Sequence, residues 1–127
     1  FDAILLDAPC SGTGTLRRHP DIAWLKDEED VARLTVTQDR LLLRALDMLK
    51  PGGTLVYAVC SLQEDEGIER INGMLVRNPQ VKRVRVTPAE LPGLEDAITP
   101  RGDVRTLPFM WADRGGLDGF YVARLTA

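Results

Sequence analysis

Apolar and polar positions follow two different periods along this chain of 127 residues. Nearly continuous apolar runs at 1–6 and 54–59 are typical of strands buried in a parallel sheet. Between them, an acidic segment at 27–30 suits the positive end of a helix, and apolar side chains then recur at helical spacing up to Leu49. The Lys-Pro-Gly-Gly sequence at 50–53 is a strong helix stop. The pattern predicts a strand, a long helix and a second strand.

A second helix is predicted directly after Cys60. Ser61 and Glu64 have the spacing of a capping box, in which two side chains satisfy free N–H groups of the first helical turn. Apolar residues at 68–76 then lie on one helical face, and the Asn-Pro pair at 78–79 ends the helix. This helix would start at the strand end that carries the cysteine.

The last third of the chain is predicted to be rich in short strands. Residues 81–86 alternate apolar and basic side chains, as in a half-exposed strand. The segment 88–104 contains many Pro and Gly residues and predicts an irregular excursion. Further strands are predicted at 105–109 and 120–125, separated by a glycine-rich turn at 115–119. Strand, helix, strand, helix and this β-rich tail together predict half of an open α/β sheet.

The only two cysteines lie where the first two strands end. Ligands of open α/β sheets bind beyond the carboxyl ends of the strands, so two thiols there favour covalent chemistry in a cleft. A helix N-terminus after Cys60 would favour its thiolate, although the acidic residues at 64–66 partly oppose that effect. The alternative is that Cys60 is a buried structural thiol. Cys10 follows Pro9, which fixes the backbone before it.

Asp7 is the third candidate, because a carboxylate that ends an apolar strand needs a partner. Its alternative role is to bond nearby loop amides. The Ser-Gly-Thr-Gly loop at 11–14 permits close approach of backbone to a ligand, but it lacks the third glycine of the dinucleotide fingerprint and the lysine of a P-loop. His19 is interpreted as a surface residue, and two cysteines with one histidine are too few to predict a metal site.

Composition narrows the class of protein. Hydrophobic residues make up 44% of the chain and charged residues 28%, which indicates a soluble globular domain. No apolar run approaches the roughly 20 residues of a membrane helix, so we expect no membrane partner. Two cysteines do not make a disulfide framework, which favours a reducing cytoplasm. The net charge of −3 does not by itself indicate a nucleic-acid binder, so any basic groove must be local, as at 17–19.

Three segments resemble those of a known enzyme family. Residues 7–14, Asp-Ala-Pro-Cys-Ser-Gly-Thr-Gly, continuing to Trp24, closely resemble motif IV of RNA cytosine-5 methyltransferases. The segment 55–62, with the acidic residues that follow it, resembles motif VI, and 118–125 resembles the family's closing strand. The closest resemblance is to the bacterial Sun/Fmu type (Nol1/Nop/Sun), which modifies 16S ribosomal RNA. Two positions depart from the family pattern, which usually has Thr and often His where this chain has Val59 and Phe109.

The resemblance implies an α/β fold, namely the C-terminal half of a Rossmann-like, class I, S-adenosylmethionine-dependent methyltransferase sheet. The family's glycine-rich cofactor loop and the acidic residue that binds the cofactor ribose lie upstream of motif IV, outside this sequence. The chain also opens inside an apolar strand. We therefore expect residues 1–127 to be the C-terminal part of a catalytic domain, with its own upstream half as a partner.

The implied reaction is S-adenosylmethionine-dependent methylation of cytosine C5 in RNA, ribosomal or transfer, through a covalent bond between Cys60 and C6. Cys10 would assist product release, and Asp7 would stabilise charge as it develops. The implied cofactor-binding residues are Asp7, Ala8 and Pro9. The implied substrate-binding residues are Ser11, Gly12, Arg17, Arg18 and His19. The target base must be single-stranded or splayed out for both ring faces to be reached.

Two alternatives stay open at this point. DNA cytosine-5 methyltransferases place the nucleophile in the Pro-Cys pair of motif IV, here Cys10, whereas the second strand-end cysteine favours RNA. The other alternative is a non-catalytic RNA-binding or assembly module. That description suits the isolated fragment better, because an exposed first strand would weaken cofactor binding and promote self-association.

Overall fold

The computed structural model describes residues 1–127, which fold around one mixed sheet. Its strands are β1 (Ala3–Asp7), β2 (Thr54–Val59), β3 (Lys82–Arg83), β4 (Val104–Thr106) and β5 (Phe120–Thr126). Its helices are α1 (Ile22–Leu25), α2 (Glu28–Met48) and α3 (Ile68–Arg77). None of these helices combines the length and the apolar composition that crossing a lipid bilayer requires.

The order of the strands brings the two predicted strand ends together. The strands are ordered β1-β2-β5-β3, and β4 also pairs with β5. β1 and β2 run parallel, with Asp7 opposite Ala58, whereas β5 is antiparallel to its neighbours. A parallel pair needs a long crossover connection, and α2 supplies it. The carboxyl ends of β1 and β2 therefore meet at one edge of the sheet.

The long helix α2 begins and ends at the predicted signals. Asp27 caps it, because its carboxylate accepts the backbone N–H of Asp30 at 2.9 Å and the Asp30 carboxylate accepts the N–H of Asp27 at 3.1 Å. After the last turn, Gly52 adopts a φ of 77°, a conformation that favours glycine. The inner face of α2 buries Gln38, Leu42 and Ala45.

The core lies between the sheet and the inner faces of α2 and α3. Alternate side chains of β2 are fully buried, and the other core members include Leu42, Ala45, Ile71, Met74, Ala123 and Leu125. β1 departs from the prediction of a strand buried on both faces. It lies at the edge of the sheet and leaves Leu5 70% exposed.

The predicted start of α3 is wrong by several residues. The helix begins at Ile68, eight residues after Cys60, so no regular helix starts at the thiol. The Ser61 hydroxyl donates to the carboxylate of Glu66 instead of forming a capping box with Glu64. The Ser61 oxygen accepts the backbone N–H of Gln63 at 3.0 Å, so a bond two residues long replaces the three-residue one that the spacing predicts.

Two predicted strands are shorter than the pattern indicates. The strand predicted at 81–86 is reduced to β3, although Val84 and Val86 still donate hydrogen bonds to the backbone carbonyls of Arg124 and Gly102. The strand predicted at 105–109 starts one residue earlier and ends at Thr106. Pro108 lacks the N–H that a longer ladder would need. The irregular segment before it and the final strand lie where the sequence predicts them.

Candidate active site at the ends of the first two strands

The two cysteine thiols lie side by side at the carboxyl ends of β1 and β2. Cys10 follows β1 by three residues, Cys60 directly follows β2, and their Sγ atoms are 3.4 Å apart. Both thiols are free and half-buried. The parallel pairing of the strands closes a sequence separation of 50 residues, so both sulfurs can act on one bound group.

The pKa of the Cys10 thiol is raised from 9.0 to about 12. Burial is the largest cause, followed by the hydrogen bond with Cys60, and the charges of Cys60 and Glu66 act in the same direction. The backbone N–H of Gly12 partly opposes them. Cys10 therefore keeps its proton at neutral pH. Because the thiolate is the reactive form of cysteine, this environment makes Cys10 a poor first nucleophile.

A buried carboxylate, that of Glu66, connects the two cysteine loops. Glu66 has no exposed surface. Its Oε1 accepts the backbone N–H of Ser11 at 2.9 Å, and its Oε2 accepts the Ser11 hydroxyl at 2.6 Å. The same Oε2 accepts the hydroxyl of Ser61. One carboxylate thus binds the residue that follows each thiol.

Gln38 of α2 adds a second connection to the same group. Its Nε2 donates to the carbonyl oxygen of Pro9 at 2.9 Å and to Oε1 of Glu66 at 3.2 Å. The hydroxyl of Tyr57 donates to the backbone carbonyl of Glu66 at 2.6 Å. The backbone around Cys10 is therefore bound on both sides, through Pro9 and Ser11.

Sequence reasoning did not identify Glu66 and Gln38 as parts of the site. The sequence feature that could have indicated them is the Cys-Ser pair that occurs at both strand ends, at 10–11 and 60–61. Serine hydroxyls that are buried there need hydrogen-bond acceptors, and a nearby carboxylate can serve both. Ser11 is only 2% exposed, and both of its donors are bound to Glu66. Both donors of Ser11 are thus used within the chain, and its contact with substrate stays a prediction.

The Gly12–Gly14 loop contacts the protein itself. Gly12 adopts a φ of 74°. The N–H of Gly14 donates to the carbonyl of Cys60 at 3.0 Å, and the N–H of Gly119 donates to the carbonyl of Gly14 at 2.7 Å. A Cβ on Gly14 would lie 1.8 Å from the carbonyl oxygen of Gly119. At Gly14 the close backbone approach is thus made to residues of the chain itself, and the contact of Gly12 with substrate stays a prediction.

The two arginines of the same loop share one acidic partner. Arg17 Nε lies 2.9 Å from Asp118, and Arg18 binds the same carboxylate through Nε and Nη2 at 2.9 and 2.6 Å. Arg18 holds the pKa of Asp118 below its ordinary value. The side chains of Arg17 and Arg18 are 38% and 50% exposed, and His19 is exposed as well. These three groups form a small basic surface beside the thiol loops.

The tip of β1 presents a carboxylate without a partner. Asp7 is exposed, and its carboxylate makes no hydrogen bond or ion pair within the chain, so it does not bond the loop amides. Ala8 is buried, and its N–H donates to the carbonyl of Ala58 at 2.9 Å. Pro9 is exposed. An unpaired carboxylate at this edge complements a positively charged group of a ligand.

Comparison with known proteins gives consistent matches over the whole chain. A family model described as 16S rRNA methyltransferase RsmB/F matches residues 1–126. The ribosomal RNA small subunit methyltransferase B of Klebsiella pneumoniae is 48% identical over 126 residues, and that of Pectobacterium atrosepticum is 42% identical over 125 residues. Each match covers 98% of this chain, and the chain spans 26% of the length of each relative.

A solved structure has the same fold. The methyltransferase homolog protein from Pyrococcus horikoshii is 30% identical and superposes with a TM-score of 0.71, over 99% of this chain and 39% of that protein. This similarity confirms the predicted α/β, Rossmann-like methyltransferase fold class. With a family model that extends over all but one of its residues, the chain belongs to the 16S rRNA methyltransferase RsmB/F family.

Proposed function

We propose that this chain carries the reacting cysteines of a cytoplasmic enzyme that methylates C5 of cytosine in RNA, with 16S ribosomal RNA as the substrate. The observation that carries the proposal is the 3.4 Å contact between the Cys10 and Cys60 sulfurs at the ends of two parallel strands. A reaction that forms and then breaks a bond to one ring needs a group that attacks and a group that helps to move a proton. The names of the relatives support small-subunit ribosomal RNA as the substrate.

Cys60 is the nucleophile in this proposal. Cytosine C5 is itself a poor nucleophile. When the Cys60 thiolate adds its electron pair to C6, the ring becomes enamine-like and C5 gains the electron density needed to take a methyl group. The raised pKa of Cys10, about 12, supports this assignment because Cys10 remains a neutral thiol.

Cys10 assists release of the product. After methyl transfer, C5 carries both the methyl group and its original hydrogen. Loss of that proton and elimination of the Cys60 thiolate from C6 restore the aromatic ring. A Cys60 sulfur bonded to carbon has neither the charge nor the hydrogen bond that help to raise the pKa of Cys10. The pKa of Cys10 would therefore fall in the covalent adduct, where its help in proton removal is required.

The residues at the tip of β1 fit S-adenosylmethionine, which would supply an electrophilic methyl group when bound. This cofactor carries positive charge on its sulfonium and amino groups, and the exposed, unpaired carboxylate of Asp7 complements that charge. Asp7, Ala8 and Pro9 would hold the cofactor, with the ring of Pro9 limiting backbone freedom at the strand end.

Residues 1–127 act in this proposal as the C-terminal part of a methyltransferase catalytic domain. The chain spans 26% of the length of its relatives. The edge strand β1 leaves Leu5 70% exposed, and Phe1, two residues before it, is 68% exposed. An apolar edge of this kind is a template for another strand. An upstream half of the domain would pair with β1 and complete the cofactor pocket.

The RNA would approach over the basic surface formed by Arg17, Arg18 and His19. Guanidinium groups bind phosphates and position the strand, without reading its sequence. The target cytosine must be unstacked, because the Cys60 sulfur has to reach C6 from the face of the ring. A single-stranded or opened segment of ribosomal RNA meets this requirement.

The test uses the full-length protein, S-adenosylmethionine and RNA that contains 5-azacytidine. The nitrogen at position 5 of this analogue carries no proton, so a covalent adduct stays on the enzyme. On denaturing gels we expect an adduct for the wild type and for Cys10→Ser, and none for Cys60→Ser. The reverse pattern would make Cys10 the nucleophile, as in the DNA-type mechanism, and no adduct in any variant would favour a binding module.

A further inference from the structure

We infer that Glu66 is a positioning residue that sets the separation of the two thiols, with Gln38 as its support. The inference rests on the proposed function, in which one thiol attacks and the other assists release. Glu66 is fully buried, so RNA cannot reach its side chain. It acts through Ser11 and Ser61, which directly follow the two cysteines.

The geometry couples the two cysteine loops through one atom. Oε2 of Glu66 binds both serine hydroxyls, and the oxygens of Ser11 and Ser61 are 3.4 Å apart. The two sulfurs are separated by the same 3.4 Å. Gln38 binds the carbonyl before Cys10 as well as the carboxylate itself. Movement of either loop away from the other would therefore break a hydrogen bond to Glu66.

A carboxylate is well matched to this position. Four donors converge on Glu66, namely the N–H and hydroxyl of Ser11, the hydroxyl of Ser61 and the amide of Gln38. An ionised carboxylate offers about four acceptor sites and no donor, so it satisfies all of them. Alanine would remove this acceptor from all four donors, of which Gln38 keeps a second one, the carbonyl of Pro9. Glutamine at this position keeps Oε1 as the acceptor for the two N–H donors. Its NH₂ group could donate to the oxygens of both serine hydroxyls, because a hydroxyl accepts as well as donates hydrogen bonds.

The experiment loosens one cysteine loop at a time in the full-length protein. The rate of adduct formation is measured with RNA that contains 5-azacytidine. Release is measured with ordinary RNA and S-adenosylmethionine, where slow release raises the steady-state fraction of enzyme held as adduct. For Ser61→Ala, which loosens the Cys60 loop, we expect adduct formation to slow by up to about a hundredfold, the effect of a displacement of roughly 1 Å. For Ser11→Ala, we expect formation near the wild-type rate and accumulation of adduct on ordinary RNA.

Glu66→Ala should impair both steps, and Glu66→Gln should restore both toward the wild type. Glu69→Gln removes the same charge from an exposed position of α3 and should change neither rate. A residue needed only for folding would lower the amplitude of both reactions together, without separating formation from release. The inference is overturned if the serine variants change amplitude alone, or if folded Glu66→Ala keeps both wild-type rates. If Glu66→Ala does not fold, the two serine variants decide.

Two cysteine variants measured in parallel separate this inference from the proposed function. If Cys60→Ala still forms an adduct, the proposed function fails and the role of Glu66 fails with it. If Cys60→Ala forms none and Cys10→Ala accumulates adduct, the proposed function stands. Wild-type behaviour of the Glu66 and serine variants would then overturn the positioning role alone.

Discussion

Replacing Gly14 by alanine tests whether the loop after Cys10 is packed against the end of β2 and the start of β5. The added methyl carbon would lie 1.8 Å from the carbonyl oxygen of Gly119, and nonbonded heavy atoms prefer about 3.5 Å or more. One backbone segment must therefore move by roughly 1.7 Å. The movement strains the hydrogen bonds that Gly14 makes to Cys60 and Gly119, at 3.0 and 2.7 Å. Overpacking and one lost hydrogen bond together cost about 2 to 4 kcal/mol.

The assay compares thermal unfolding and adduct formation on 5-azacytidine RNA in the full-length protein. We expect Gly14→Ala to unfold at a lower temperature and to form the adduct about a hundredfold more slowly, since a misplacement of about 1 Å near the reacting atoms has that effect. Gly73→Ala is the matched control. Its methyl group would meet only the Arg77 guanidinium at 3.6 Å, and alanine stabilises a helix by roughly 0.5 to 1 kcal/mol over glycine. Wild-type stability and rate in Gly14→Ala would refute the packing described for this loop.

Three further predictions concern the thiol of Cys10, the carboxylate of Asp118 and the edge strand β1. Cys60→Ala should lower the pKa of Cys10 from about 12, because it removes a hydrogen bond and a charge that raise this pKa. Alkylation of Cys10 by iodoacetamide should then begin at lower pH than in the wild type, and an unchanged pH profile would contradict the coupling of the two thiols. Asp118→Asn should release Arg17 and Arg18, and should therefore strengthen RNA binding and make it more dependent on salt. The free energy of unfolding should change by about 1 kcal/mol or less. Equal or weaker binding in filter titrations would exclude these arginines as RNA contacts. The isolated chain should bind S-adenosylmethionine weakly or not at all and self-associate through β1, so saturable micromolar binding by a monomer in calorimetry would contradict this expectation.

Local signals in the sequence were sufficient for the elements that position the thiols. The acidic start of α2 forms its capping box at Asp27, and the Lys-Pro-Gly-Gly sequence lies where the helix ends. The apolar runs at 1–6 and 54–59 form β1 and β2, which pair in parallel. Because parallel neighbours end at the same edge, the positions of Cys10 and Cys60 in the sequence already predicted their proximity.

Long-range hydrogen bonds account for what the sequence did not predict. Glu66 binds Ser11 across 55 positions, and Gln38 reaches Glu66 across 28, so neither contact has a local signature. The capping box predicted at Ser61 does not form, because the Ser61 oxygen accepts the backbone N–H of Gln63 at 3.0 Å while its hydroxyl donates to the buried carboxylate of Glu66. Val59, where the family usually has Thr, is fully buried in the core and donates no side-chain hydrogen bond.

The proposed role of Cys60 as the nucleophile is tested by identifying the residue that is covalently bonded to the cytosine ring. The adduct between the full-length protein and 5-azacytidine RNA would be digested with protease and nuclease, and the modified peptide sequenced by tandem mass spectrometry. We expect a nucleotide attached to Cys60, with Cys10 unmodified. A nucleotide attached to Cys10 would make Cys10 the nucleophile and refute this role of Cys60.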